Sequence, residues 1–383
     1  MMGRMIALWL GMMLCTIKVS AQLHIVSRVV DVKTGESLPF ASIYINGDKN
    51  TITNEDGEFV IDADSSDVLR VTYVGYRKMM VPAMEVGDKI CLSTEGYALG
   101  EVEVFGTDYV IRKVLKRIKK EYKVHKWDQV NFFYRQTSRA GLTSTSFLEA
   151  FFTARPAIQL RKLSFAQGRY VTVAGELTVN PINYFTFAEV PISSVPIVSQ
   201  SDDIVPLSDY YQNSYQTDCR TITDGDRKVF VVSFVPRETR LRAIEARLYV
   251  DGETFQLLKY EGKGLKNAVR NEYRGGVRVI PIDYSFVVNC QLDHGFTEVQ
   301  SVHFNVHYTD EGKYFETTGI LYNVAERFVK GKHKMQFYDN ILDVIREQDY
   351  DSEFWKKNEI VKRTPIEEEA INLFERDNLF GIY

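Results

Sequence analysis

Short runs that alternate apolar and polar residues dominate the chain from Leu23 onward. "LHIVSRVVD" alternates and is followed by the polar turn "VKTGESL". "PFASIYI" places Phe40, Ser42 and Tyr44 on one side of an extended strand and Ala41, Ile43 and Ile45 on the other, because successive strand side chains point to opposite faces. "TIT", "EFVIDA", "DVLRVTYVGY", "KICLSTEG" and "GEVEVFG" continue the pattern. About seven short strands at regular turn spacing predict a small β-sandwich.

The period then changes. "TDYVIRKVLKRIKKEYKVH" carries Val110, Ile111, Val114, Leu115, Ile118 and Tyr122 at helical spacing. Arg112, Lys113, Lys116, Arg117, Lys119, Lys120 and Lys123 fall on the other face. This predicts an amphipathic helix that links the two halves of the chain. Its basic side has three readings. It is a solvated face above an apolar stripe packed on the next domain, a peripheral contact with an anionic membrane, or a surface for an acidic protein.

Strand-like runs resume in "QVNFFYRQTS", "STSFLEAFFTAR" and "AIQLRKLSF". Residues 176–217 contain four prolines and lose clean periodicity, which reads as a long crossing segment. Its Tyr and Phe residues either cover the sheet or line a pocket. Beyond it, "KVFVVSFVP", "AIEARLYVDGETFQLLKYEGKGL", "RVIPIDYSFVVNCQLD", "FTEVQSVHFNVHYTD" and "YFETTGILYNVA" are long and alternating, with Asp251-Gly252 as a hairpin turn. Strands of this length in meander order predict a larger antiparallel curved sheet or partial barrel. Phe296, Val299 and Val302 depart from strict alternation. Such a departure is what a carrier with apolar residues on both faces of its sheet requires.

A last helix of about three turns is expected from Pro365. Thr364 and Glu367 form a capping box, and Glu367, Glu368 and Glu369 suit the positive end of the dipole. Ile366, Ala370, Ile371 and Phe374 share one face. That face packs on the β domain or, with Phe380-Gly381-Ile382-Tyr383, forms a partner-binding tail. The expected fold is mainly β. Its parts are a sandwich over 22–105, the linking helix over 106–126, the β-rich domain over 127–345 and a C-terminal segment over 346–383.

Residues 1–21 form a separate element. Arg4 precedes the apolar stretch "MIALWLGMMLC", and Val19 and Ala21 supply small residues at its end. This predicts an export signal cleaved before Gln22. Leu14 disfavours lipidation at Cys15. The whole chain carries 47 Lys and Arg against 51 Asp and Glu. Loss of Arg4 and Lys18 shifts the formal charge from −4 to −6, which disfavours general nucleic-acid binding. Cys91, Cys219 and Cys290 remain. An odd number cannot all pair internally, so they read as buried thiols with at most one disulfide.

Candidate chemistry is thin. A calcium loop of EF-hand type that starts at Asp48 needs Gly at its sixth position, where Thr53 stands. "NEDGEF" is better explained as a turn: Asn54 and Asp56 bond their own backbone and Gly57 supplies positive φ. None of the six histidines has Glu three residues later. His125 and His307 have Asp128 and Asp310 there instead. His303 and His307 lie in an alternating run, so they are about 13 Å apart by the strand rise and one ion cannot bridge them. No G-x-S-x-G elbow, phosphate loop or G-x-G-x-x-G fingerprint occurs. No catalytic, cofactor or metal residue is therefore assigned, and no enzyme activity is expected.

The stretch "DVKTGESLPFASIYINGDKNTITNEDGEFVI…LRVTYVGYRK" resembles the carboxypeptidase-regulatory-like domain. The matching features are Leu38-Pro39-Phe40-Ala41, Thr53-x-x-Asp56-Gly57-x-Phe59 and Val71-x-Tyr73-x-Gly75-Tyr76. Ser27 stands where the family usually has Gly. The resemblance implies a transthyretin-like β-sandwich, of the kind also found at the front of TonB-dependent transporters, serving as a structural or docking module rather than a peptidase. "RLYVDGETFQLLKYEG" is similar to a strand pair of LolA-type periplasmic half-barrels. "NFFYRQT", "SFLEAFF" and "EFWKKNEIVKRTPIEEEAINLFE" resemble secreted carboxypeptidase-regulatory-like proteins of unassigned function. Together these imply an exported protein of the periplasm or outer membrane of a Gram-negative bacterium. An envelope protein or an apolar ligand such as a lipid is its expected partner. A carbohydrate-binding module is a further reading, with Trp127 and Trp355 as the tryptophans beyond the leader.

Overall fold

The computed structural model describes residues 22–46, 49–94, 106–125, 128–154, 164–173, 203–204, 206–207, 211–224, 227–238, 242–265, 272–274, 277–291, 295–310, 312–324, 333–334, 341–358, 360–376 and 379–380. The leader, "GEVEV", Trp127, most of the proline-containing crossing segment and Gly381–Tyr383 lie outside them. The protein is mainly β and divides into two compact units.

The first unit has two small sheets. β1 (Gln22–Asp31) lies between β4 (Glu58–Asp64) and β7 (Lys89–Leu92). The second sheet has the order β3 (Lys49–Ile52), β2 (Ser42–Ile45), β5 (Val68–Thr72), β6 (Met79–Pro82). Its core is made by the inward residues of both sheets, among them Val29, Ile43, Ile52, Phe59, Leu69 and Val71, all fully buried. "MMVP" is a strand that its lack of alternation concealed. Two expected strand boundaries move. Phe40 has φ +65° and precedes β2, so it is not part of the alternation read in "PFASIYI". β5 ends at Thr72, and Gly75 turns at φ +89°.

The second unit is built on a 13-stranded, unclosed curved sheet. Its antiparallel path is β12 (Tyr215–Asp224), β13 (Arg227–Pro236), β14 (Arg242–Asp251), β15 (Leu257–Leu265), β17 (Val277–Gln291), β18 (Glu298–Asp310), β19 (Lys313–Asn323), β8 (Val130–Ala140), β9 (Thr143–Ala154), β10 (Ser164–Thr172) and β20 (His333–Lys334). The short β11 (Asp203–Ile204) pairs with β14 and β16 (Glu272–Arg274) with β17. Of the expected "AIQLRKLSF" run, Ser164 and Phe165 open β10, and residues 157–163 lie outside the described residues. At the Asp251 hairpin the positive φ falls on Phe255 (+58°), not on Gly252. Asp251 Oδ1 accepts from the backbone N–H groups of Glu253 and Thr254. Gly252 is required for a different reason: a Cβ there would lie 2.7 Å from the Lys228 carbonyl oxygen.

Helices cover this sheet. They are α1 (Thr107–His125), the one-turn α2 (Tyr211–Ser214), α3 (Ile341–Arg346), α4 (Ser352–Lys357) and α5 (Pro365–Arg376). Val110, Ile111, Val114, Leu115 and Ile118 of α1 join one core with Phe132, Tyr134, Phe152, Phe230, Leu248, Tyr260, Phe286, Val302 and Phe304 of the strands. Ile341, Val344 and Ile345 of α3 enter the same core. The apolar stripe of α1 therefore packs on the second unit's sheet, as the first of the three readings has it.

Candidate functional site

The turn that raised the question of a cation is a structural device. Asn54 Oδ1 accepts from the N–H groups of Asp56 and Glu58 at 3.0 and 2.9 Å. Gly57 N–H donates to the Asn54 carbonyl, and Gly57 has φ +76°. The neighbouring Thr53 is fully buried. Its hydroxyl donates to the Leu38 carbonyl at 2.7 Å and accepts from Ala41 N–H at 2.8 Å. The Leu38-Pro39-Phe40-Ala41 and Thr53-x-x-Asp56-Gly57 features are thus two halves of one latch. Among the described residues no group of three or more His, Cys, Asp and Glu side chains gathers as a metal site.

The histidines are separated by their strand or helix. His303 and His307 both lie on β18. His303 is buried, and burial pushes its pKa well down. His307 pairs with Asp283 at 2.5 Å and approaches Glu316. His125 pairs with Asp128 at 2.8 Å and stacks on Phe296. The three cysteines are free, and Cys91 is exposed rather than buried, because it points outward from β7. Burial raises the Cys219 thiol to about 11 and pushes Cys290 higher still. Neither is a thiolate nucleophile at neutral pH.

The most elaborate polar arrangement went unrecognised in the sequence. Glu149 on β9 stands directly opposite Arg135 of β8 on one side and Arg169 of β10 on the other. Arg135 Nε donates to Glu149 Oε1 at 2.9 Å. Arg169 donates to Oε2 from Nε at 2.9 Å and from Nη2 at 2.7 Å. All three side chains are almost completely buried. Burial alone would raise the Glu149 pKa; Arg169, then Arg135 and Arg363, overcome it and hold it at about 2.

The C-terminal segment closes over this network. Arg135 Nη2 donates to the Val361 carbonyl at 2.9 Å, and Nη1 reaches Glu367 of α5 at 3.4 Å. Arg169 lies between the rings of Trp355 and Phe380, each 4.8 Å from its guanidinium carbon. Ala370, Ile371 and Phe374 pack with Phe147, Val171 and Phe380. The capping box forms as expected: Thr364 N–H donates to Glu367 Oε2 at 2.8 Å, and Glu367 N–H to Thr364 Oγ1 at 3.3 Å. Ile366 does not join its face-mates and is 44% exposed. The helix thus packs as a core element, and Gly381–Tyr383 of the partner-tail reading lie outside the described residues. Trp355 is 2% exposed and unavailable to stack on a sugar.

The basic side of α1 is two surfaces. Arg117 is partly buried and engaged: it pairs with Glu121 and donates to the carbonyls of Thr254 at 2.8 Å and Gly295 at 2.6 Å. Glu121 in turn accepts from Thr297 N–H. Arg112, Leu115, Lys116, Lys119, Lys120 and Lys123 instead line an open cavity of about 450 Å³. No helix among the described residues is long and apolar enough to cross a membrane.

Residues 27–104 match the CarboxypepD_reg-like domain. This match falls on the stretch that carried the resemblance and names the same domain. Comparison with curated proteins gives no match. Among solved structures, a LolA superfamily protein from Nitrosomonas europaea aligns at 9% identity, over 62% of this chain and 100% of that one, with a TM-score of 0.22. A domain designated an outer membrane lipoprotein-sorting protein from Vibrio parahaemolyticus aligns at 11% identity, over 61% and 99%, with a TM-score of 0.23. The MucA/MucB complex of Pseudomonas aeruginosa aligns at 10% identity, over 61% and 100%, with a TM-score of 0.17. These TM-scores are too low for the structural likenesses to carry an argument.

Proposed function

We propose that the chain is a non-enzymatic interaction protein of the cell envelope. Its carboxypeptidase-regulatory-like unit docks on an envelope protein, and its larger β unit is a scaffold. The observation that carries this reading is β6. Among the described residues it is one of the two edge strands of its sheet, with Met79 39% and Met80 57% exposed, followed by Met84 at 73%. An edge strand offers unpaired backbone donors and acceptors, and exposed methionines adapt to varied partner surfaces. Strand addition at such an edge is a common mode of recognition.

The packing of the second unit supports a scaffold over a carrier of apolar ligand. The apolar stripe of α1 occupies one face of the sheet, and the C-terminal segment occupies part of the other. The broken alternation in β18 has a local origin. Cys290 of β17 opposes Val299 and Asn289 opposes Ser301, so Gln300 is an inserted residue. This β-bulge turns Val299 and Val302 toward the same core. An apolar lining on both faces is not needed to explain it.

Placement in the envelope rests on the leader, and N-terminal sequencing of the mature protein should find Gln22 first. The docking reading is tested by exchanging Met79, Met80 and Met84 for Ser and measuring recovery of a defined co-purifying protein from the native envelope. Loss of that protein with unchanged unfolding is expected. Stoichiometric lipid on the purified chain in native mass spectrometry, with no protein partner, would replace this reading with the carrier.

A further inference from the structure

We propose that the cavity along α1 is a binding site for a small polyanion bearing two or more phosphate groups. Five of its six described lining residues are cationic: Arg112, Lys116, Lys119, Lys120 and Lys123. Spacings of three and four residues stack them in one column, about 16 Å from first to last at the helical rise. α1 bears seven Lys and Arg against Asp108 and Glu121, in a chain whose formal net charge is −4. The positive charge is therefore concentrated on one element.

Three features distinguish this column from an ordinary solvated face. The first is that Arg112, Lys116, Lys120 and Lys123 form no ion pair with any described residue, whereas many cations elsewhere are matched with acids. Arg139 pairs with Glu316, Lys259 with Glu261, Lys263 with Glu245 and Arg346 with Asp343. Like charges three and four apart on a helix repel and cost stability, a cost that a bound anion would relieve. The second is that the helix is rigid. Its apolar stripe is buried, Arg117 holds two loops, and His125 stacks on Phe296. A ligand would therefore not have to order the element that binds it. The third is shape: the cations border an open concavity of about 450 Å³ along one side of the helix, with Leu115 beside them.

The chemistry favours phosphate over isolated carboxylates. Lysine ammonium groups act as point charges on phosphate oxygens, and Arg112 adds a planar guanidinium that can take one phosphate through two N–H groups. The buried stripe argues against insertion of α1 into a bilayer, so a membrane would be met through headgroup charge alone.

The test uses the full mature chain and two probes. Tripolyphosphate is titrated calorimetrically, and vesicles of phosphatidylcholine with and without cardiolipin, whose headgroup carries two phosphates, are used for co-sedimentation. Lys116→Gln with Lys120→Gln should weaken tripolyphosphate binding by at least about tenfold, and added salt should weaken it steeply. Lys113→Gln is the control, since Lys113 lies over the Tyr109 and Phe255 rings and does not line the cavity; it should leave binding unchanged. The paired variant removes only exposed charges, and its thermal unfolding should match the parent. Loss of both tripolyphosphate and vesicle binding in the paired variant supports the site and assigns a lipid-borne phosphate. Loss of tripolyphosphate binding in a chain that ignores vesicles supports it with a free ligand. Absent tripolyphosphate binding, or binding indifferent to Lys116 and Lys120, overturns it.

Discussion

Arg169 and Glu149 face each other across β10 and β9 in direct register, with two guanidinium N–H groups on one carboxylate oxygen. Arg135 takes the other oxygen from the opposite strand. The remaining N–H groups of both arginines point to the C-terminal segment. The network therefore binds three strands to α4, α5 and the chain between them. Such buried pairs contribute little net stability when intact, because desolvation offsets attraction. Breaking one is costly.

Glu149→Gln should destabilise the second unit by about 3–5 kcal/mol, because it leaves two buried guanidinium groups without their counter-charge. Chemical unfolding of the purified variant checks this. An equally stable variant would show that water or Glu367 and Glu375 compensate.

The same carboxylate predicts a pH dependence. Glu149 titrates at about 2 in the folded chain, below the ordinary 4.5. A depressed carboxyl contributes stability above its unfolded pKa and loses it as pH falls through the folded value. Its share should therefore disappear between about pH 4.5 and pH 2. Urea midpoints measured across this window should fall in the parent and fall less in Glu149→Gln.

Gly57→Val should destabilise the first unit by about 2 kcal/mol or more, since a β-branched residue at positive φ is strained. A Cβ would also lie 2.8 Å from the Val29 carbonyl oxygen and 2.9 Å from Ser37 Cβ. Asp56→Asn should leave calcium calorimetry unchanged. A calcium signal lost in that variant would restore the cation reading.

Phe374→Ala should cost about 3–5 kcal/mol through lost burial and a cavity. Phe374 is 1% exposed and meets Phe380 edge to face. Denaturant titration of the variant is the measurement, and unchanged stability would detach α5 from the core.

Tyr260→Phe should raise stability by about 1 kcal/mol, because a buried hydroxyl without a partner carries its desolvation cost uncompensated. Tyr260 is fully buried, and its hydroxyl has no hydrogen-bond partner among the described residues. A fall in the unfolding midpoint would show that the hydroxyl is bonded in solution.

Much of this architecture was legible in the chain alone, where the cause is local. The 3.6-residue period places Val110, Ile111, Val114, Leu115 and Ile118 on one side of α1 whatever surrounds it. Thr364 and Glu367 cap α5 through atoms three residues apart, and Asn54 to Gly57 turn through their own backbone. Other features required the third dimension. Arg135 and Val361 are 226 positions apart, and Glu149 meets two arginines only because strand register sets them opposite one another. The bulge at Gln300 and the strand status of Met79–Pro82 likewise depend on neighbouring strands. Arg117 looked like one more solvated cation until two distant loops placed their carbonyls against it. Periodicity and capping act over a few residues, so sequence determines them. Register, ion pairing across strands and the covering of one element by another depend on which distant segments meet, and the tertiary structure decided those.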